Sequence, residues 1–236
     1  MNSELTTNLI IVRHGQSLWN LENKFTGWAN PPLTDKGQVE AVTAGKNIAS
    51  LNLTFDKAYT SYLKRSIHTL WAILKETDQE WLPVEKNYRL NERHYGALTG
   101  LNKKETAVKY GDEQVFTWRR SFSTPPPQLE LDDPRHPSHD KRYKGVMDPK
   151  DLPRGESLKD CLNRFMPLWD NSITQDLHQG KNILIAAHGN SLRALMLKLE
   201  GISEEDITKV EISTGVPIHY TLDKKTLNVL SKNLMD

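Results

Sequence analysis

The sequence predicts an α/β fold whose strands run parallel in an open sheet, on three observations. The apolar run Leu9-Ile10-Ile11-Val12 reads as a buried strand and is followed at once by Arg13-His14-Gly15. The same pattern returns at Ile183-Leu184-Ile185-Ala186-Ala187, followed by His188-Gly189-Asn190-Ser191. A third strand, Phe55 to Thr60, leads through Ser61 to Arg65 at the head of an amphipathic helix. Loops at the carboxyl ends of parallel strands meet in one crevice, so the two histidines are expected side by side. Alone, Arg13-His14-Gly15 fits a surface turn equally well. The second strand-His-Gly unit makes it a candidate site.

Composition narrows the function classes. The 236 residues suffice for a full hydrophobic core. Lys and Arg number 31 against 30 Asp and Glu, a formal charge of +1. No global field marks a nucleic-acid binder, so positive potential must be local. A hydrophobic fraction of 37% and a mean hydropathy of −0.62 fit a soluble globular protein. The lone Cys161 excludes an intramolecular disulfide and a Cys-cluster zinc site. Met1 to Thr7 lacks the basic-then-apolar character of a leader, and no apolar run approaches the ~20 residues needed to span a bilayer. The expectation is a cytoplasmic protein with neither membrane nor nucleic-acid partners. Phosphate-loop, dinucleotide and H-E-x-x-H motifs are absent from the sequence.

In chain order, Gln16 to Leu21 starts a helix and Phe25 to Pro32 is a loop. Thr26 and Gly27 in that loop can offer a hydroxyl and backbone N–H groups to an anion, or be an ordinary turn. Gly15 is expected to let the backbone turn sharply and lie close to a ligand. Thr34 reads as an N-cap, followed by Ala41, Val42, Gly45, Ile48 and Ala49 at helical spacing. Ile67, Leu70, Trp71 and Leu74 mark the apolar stripe of the helix headed by Arg65, where the helix dipole and a guanidinium both favour an anion.

From Pro83 to Arg120 the pattern turns polar and irregular, apart from a helix over Lys103 to Tyr110. Glu92, in Leu90-Asn91-Glu92-Arg93-His94-Tyr95-Gly96, is a candidate general acid/base, or else half of a surface pair with Arg93. Arg119 and Arg120 are candidate anion ligands or part of a solvated charge run. Residues 121–153 hold seven of the twelve prolines and read as an ordered insertion with little regular structure, in which His136 and His139 are surface residues.

A helix follows Glu156 and Ser157, with the stripe Leu158, Cys161, Leu162, Phe165, Leu168, Trp169 and Ile173 and a kink at Pro167. Leu192, Leu195, Met196 and Leu199 face the core after His188. Ser203 and Asp206 form a capping box. Strands are expected at Val210 to Ser213, Ile218 to Leu222 and Leu227 to Leu230, with a frayed end.

Two chemistries fit two histidines, a carboxylate and several cations. One is phosphoryl transfer: neutral His14 attacks phosphorus, Arg13, Arg65 and His188 hold the charged oxygens, and Glu92 moves the proton. The other is a two-His-one-carboxylate metal site. Cations beside the ligands oppose the second, since like unit charges ~4 Å apart repel by ~4 kcal/mol at an effective dielectric of ~20. A phosphate of about −1.5 to −2 charges is favoured by the same cations.

Leu9 to Asn20, Thr26-Gly27, Leu63 to Thr69, Leu90 to Tyr110, Trp118-Arg119-Arg120, Thr124 to Pro127 and Ala187 to Ser191 together resemble the cofactor-dependent phosphoglycerate mutases of the histidine phosphatase superfamily. The R-H-G start marks only the superfamily, whereas L-N-E-R-H-Y-G and the long insertion are more specific. The resemblance implies a Rossmann-like three-layer core with a mainly parallel sheet and a largely irregular insertion, about residues 96–153, as a lid. It implies interconversion of 3-phosphoglycerate and 2-phosphoglycerate, primed by 2,3-bisphosphoglycerate and without metal. On matching positions, His14 carries the phosphoryl group, Glu92 is the proton donor and acceptor, and Arg13, Arg65 and His188 stabilise the transferring group. Ser17, Asn20, Thr26, Gly27, Tyr95, Lys103, Arg119, Arg120, Gly189 and Asn190 bind phosphate or carboxylate.

The insertion and the C-terminal tail are expected to close the pocket against water, which would otherwise make the enzyme a phosphatase. Ser17 and the Thr26-Gly27 pair separate the chain from related bisphosphoglycerate synthases. Gln16 stands where many relatives have Glu, and the tail after Leu222 is shorter. Relatives occur as monomers, dimers and tetramers, so a homo-oligomer is compatible. A phosphomonoester hydrolase and a non-catalytic anion-binding scaffold are the alternatives.

Overall fold

A computed structural model describes residues 5–236; the first four residues, part of the Met1 to Thr7 segment read above, lie outside the described residues. Strand β1 (Thr6–Arg13) pairs in parallel with β4 (Ile183–Ala187), Leu9 facing Ile183 and Arg13 facing Ala187. The His14 N–H extends this ladder by donating to Ala187 O at 3.0 Å. The two strand-His-Gly units therefore end together, as the repeated pattern required. Strands β2 (Lys57–Thr60) and β3 (Val84–Lys86) continue the parallel half, and β5 (Pro217–Asp223) and β6 (Val229–Leu234) add an antiparallel half. The order is β3-β2-β4-β1-β5-β6.

Alternation along these strands feeds two cores. Leu9, Ile11, Ile183 and Ile185 pack with residues of α6 (Leu158–Leu168) and α8 (Gly189–Glu200), among them Phe165, Leu192 and Leu195. Ile10, Val12, Ala58 and Leu184 pack with Ala44 and Ile48 of α2 (Asp35–Ala49) and Leu70 and Ile73 of α3 (Lys64–Glu76). Each buried Leu, Ile, Val or Phe side chain gains about 1.5–3 kcal/mol by leaving water, so apolar residues on both faces hold a sheet between two helix layers. This is the expected three-layer α/β architecture. Among the described residues no helix is long and apolar enough to cross a membrane.

Several local expectations change. Gln16 to Leu21 yields only the single turn α1 (Leu18–Leu21), capped by Ser17. Trp71 is 53% exposed; the buried stripe of α3 is Arg65, Ser66, Thr69, Leu70, Ile73 and Leu74. Polar residues of that first turn face the site, so apolar spacing misplaced the stripe by about one residue. Arg119 and Arg120 end a helix, α5 (Asp112–Arg120), that follows α4 (Lys103–Tyr110). Val115 is the one buried residue of α5. Its acidic first turn and basic last turn suit the helix dipole instead. Pro167 lies inside α6, and a π-helical turn at Trp169–Ile173 joins it to α7 (Thr174–His178).

Residues 121–153 carry only short 3-10 turns. His136 there is buried, not a surface residue, and its Nδ1 accepts from the Ser138 N–H at 3.2 Å. Val210 to Ser213 is not a strand: the Ile212 carbonyl accepts from Arg13 Nη1 at 2.7 Å rather than from a neighbouring strand. The C-terminal residues neither fray nor cover the pocket. They form β6, whose Leu234 lies opposite Ile218 at the sheet margin, because the pattern of β5 offers a free antiparallel edge.

Gly15 faces protein rather than ligand. A Cβ at Gly15 would lie 2.1 Å from Gly37 O, and one at Gly37 would lie 2.1 Å from Gln16 O. The nucleophile loop thus rests directly on the first turn of α2. Gln16 turns away from the pocket: its N–H donates to Glu40 at 2.7 Å and its side-chain carbonyl accepts from Thr34 Oγ1 at 3.0 Å. Gly37→Ala tests this contact away from the catalytic groups. Helix propensity alone predicts a gain of up to ~1 kcal/mol, whereas overpacking predicts a loss of ~1–3 kcal/mol. We expect loss by urea denaturation, and a neutral or stabilising result would refute the backbone contact.

Candidate active site

Strand pairing brings the imidazoles of His14 and His188 to a 4.9 Å centroid separation in an edge-on arrangement. His14 Nδ1 is 2.7 Å from Gly15 O, and a carbonyl only accepts, so Nδ1 carries the proton. The lone pair then lies on Nε2, which accepts from Arg65 Nε at 3.2 Å. Arg65 is held from behind, its two terminal nitrogens donating to Ala29 O and Gly27 O at 2.9 Å each. His188 Nε2 lies 2.8 Å from Ser61 Oγ, and its Nδ1 is buried without a partner. Arg13 Nε is likewise buried and unpartnered.

Glu92 reaches the same place from the loop after β3. Its Oε1 accepts from the backbone N–H groups of Arg93 and Asn190, at 2.8 and 3.1 Å. The second donor belongs to the first turn of α8, where the helix dipole favours a carboxylate. Glu92 and Arg93 are both buried and do not form the surface pair considered above. Arg93 instead donates to Tyr95 Oη and Arg119 O, at 3.2 and 2.8 Å. Behind them Arg164 pairs with Glu156 at 2.6 Å and donates to the carbonyls of Tyr88, Arg89, Asn91 and Glu92. This fully bonded buried pair fixes the loop that delivers Glu92.

A cavity of about 300 Å³ collects most of the expected residues: Arg13, His14, Asn20, Thr26, Arg65, Glu92, Tyr95, Lys103, Arg119, Arg120, Gly189 and Asn190. Ser17, Gly27 and His188 do not line it. Ser17 caps α1, the Gly27 carbonyl holds Arg65, and His188 sets its ring edge-on to that of His14. The insertion contributes to the wall through α4 and α5, while Tyr143, Val146, Met147 and Leu152 pack with Trp28 and Tyr88 away from it.

Sequence reading missed Lys24, Arg193 and the Val210–Ser213 segment as lining, and Ser61 as the partner of His188. The position of Ser61 directly after β2 was the available signal. Arg193 lies on α8, one turn beyond Gly189, and donates to Asn190 Oδ1 at 3.1 Å.

The electrostatics are those of an anion site. Burial first, then Arg65 and Arg13, hold the His14 imidazole well below its ordinary pKa. Burial, Arg65 and His14 do the same to His188. Burial lowers Arg65 to about 10, and burial with Arg93 and Arg120 lowers Arg193 to about 10. Burial would raise the Tyr95 phenol, but Arg93 and Lys103 outweigh it and lower the pKa. Among the described residues, Arg13, Arg65, Lys103, Arg119 and Arg193 have no ion-pair partner, whereas Lys24 pairs with Glu22 and Arg120 with Glu211. No three His, Cys, Asp or Glu side chains among the described residues gather where a metal could be held.

Solved structures with the same fold include a phosphoglycerate mutase from Bacillus anthracis, 20% identical, covering 98% of this chain and 95% of that one at a TM-score of 0.67. A mycobacterial glucosyl-3-phosphoglycerate phosphatase is 18% identical over 97% of both chains at 0.70. A putative α-ribazole-5′-phosphate phosphatase from Escherichia coli K-12 is 19% identical over 98% and 96% at 0.71. These likenesses establish the fold and include both a mutase and phosphatases. Residues 9–133 and 132–234 match the profile of one family. The chain belongs to the histidine phosphatase superfamily (branch 1).

Proposed function

We propose that this chain is a cytoplasmic, 2,3-bisphosphoglycerate-dependent phosphoglycerate mutase that interconverts 3-phosphoglycerate and 2-phosphoglycerate. One observation carries the reading: the cavity holds cations in two sets. Arg13 and Arg65 adjoin His14, while Lys103, Arg119, Arg120 and Arg193 come from α4, α5 and α8. A ligand with phosphate and carboxylate ends suits two sets, whereas a simple phosphate needs only the first.

His14 Nε2 directs its lone pair at phosphorus. The Nε2–P bond forms as the P–O bond to the donor breaks. Glu92 protonates the departing oxygen and takes the proton from the accepting hydroxyl in the reverse step. Arg65 Nε–H, which faces Nε2, turns to an equatorial oxygen, and Arg13 and His188 share the remaining charge. 2,3-Bisphosphoglycerate supplies, when bound, the phosphoryl group that primes His14. The unpaired cations and the unpartnered nitrogens of Arg13 and His188 fit such a polyanion.

A phosphomonoester hydrolase of the same chemistry is the second reading. It is favoured by residues 229–234, which form β6 and are not among the residues that line the cavity. The test pairs two assays. Mixed with 2,3-bisphosphoglycerate, the protein should gain one phosphoryl group by mass spectrometry, and His14→Ala should gain none. Coupled assays should then show isomerisation faster than phosphate release, with Glu92→Gln losing 10²–10⁴-fold in isomerisation. Release faster than isomerisation would establish the hydrolase, and absence of labelling would end both readings.

The buried histidines also set an acid limit. Unfolded imidazoles take protons near pH 6.5, whereas folded His14 and His188 refuse them. The unfolded state binds more protons below that value, so stability falls as pH falls from about 6.5, by up to ~1.4 kcal/mol per pH unit for each histidine. Urea midpoints should decline between pH 7 and pH 5.5 while NMR shows both rings neutral; a flat profile with protonated rings would contradict the burial.

A further inference from the structure

We propose that Glu211 competes with a substrate carboxylate for Arg120, and so tunes how strongly the pocket prefers phosphate monoesters that also carry a carboxylate. This rests on reading the pocket as a phosphoglycerate site.

Glu211 Oε1 lies 2.6 Å from Arg120 Nη2, and both residues line the cavity. Glu92 is the other carboxylate lining it, and that one is bonded to two backbone N–H groups. Glu211, held by Arg120 and not by the backbone, therefore stands where a substrate carboxylate would bind that arginine. Its placement is fixed from the nucleophile's side. Arg13 Nη1 donates to Ile212 O at 2.7 Å and Gly215 N–H donates to Arg13 O at 3.0 Å, which anchors the segment directly after Glu211. The end of α5 is fixed too, because Arg93 holds the Arg119 carbonyl at 2.8 Å. Glu211 engages Arg120 Nη2, so a ligand carboxylate that takes the same guanidinium shares it with Glu211 and cannot be served at full strength.

Exposure makes the contact exchangeable. The Glu211 side chain is 77% exposed, so the pair is a weak, solvated one. A buried pair would lock Arg120; this one sets a modest threshold that a ligand carboxylate can exceed. The scale for exposed pairs corresponds to about two- to fivefold in affinity.

Calorimetry with 3-phosphoglycerate and glycerol 3-phosphate, which differ in the carboxylate, tests the proposal. Glu211→Gln should tighten 3-phosphoglycerate about two- to fivefold and leave glycerol 3-phosphate unchanged. Glu211→Asp keeps the charge but shortens the reach, and should give the same selective gain. In an Arg120→Gln background the effect of Glu211→Gln should vanish. Equal tightening of both ligands, no tightening, or a gain that survives loss of Arg120 would overturn the role of Glu211. If the native protein binds the two ligands equally, the phosphoglycerate reading fails as well; a native preference with no selective gain in the variants overturns this proposal alone.

Discussion

A guanidinium buried without a carboxylate partner is the constraint around which this molecule is arranged. Arg65 is 1% exposed and is held by two loop carbonyls and the ring of His14. Burying a cation without a counter-ion is costly. The surrounding fold offsets that cost through the layers over the parallel strands. Arg65 heads α3, His14 ends β1 and His188 follows β4, so the strand order brings three distant segments to one point. The adjoining unpaired cations make an anionic ligand the natural complement of the site.

Position depends on a second, hidden layer. Arg164 and Glu156 take no place in the cavity, yet together they bind five backbone groups of the Tyr88–His94 stretch. Removing one partner of such a buried pair costs about 3–5 kcal/mol, and the damage would fall on the loop that aims Glu92. Gly15 and Gly37 play the corresponding part on the other side, where two backbones touch. The catalytic groups are therefore braced from both flanks by contacts that contribute nothing to the chemistry itself.

The strands and the main site were legible because their signals are local. An apolar run ending in His-Gly, repeated once, was enough to pair β1 with β4 and His14 with His188. Glu92 was readable as the carboxylate lacking elsewhere in the set. Other features depend on distant partners. The Ile212 carbonyl belongs to Arg13, so Val210 to Ser213 keeps strand-like residues without a strand. Helix α5 buries Val115 alone and so carries no apolar stripe to read. Arg93 looked like a surface charge, yet it is buried against Tyr95 and the end of α5. Ser61 touches His188 across 127 positions of sequence, a relation that no window can reveal.

The last strand has a practical corollary. β6 seals the margin of the sheet, its backbone bonded to β5 on one side, and Met235 is tied to Pro217 and Asn47. Pro217 lies opposite Val12, so the described chain ends at the carboxyl edge of the sheet, the edge that also carries the cation-lined crevice. A fluorophore attached after Asp236 would emerge at that edge, placed to sense small anions arriving at His14.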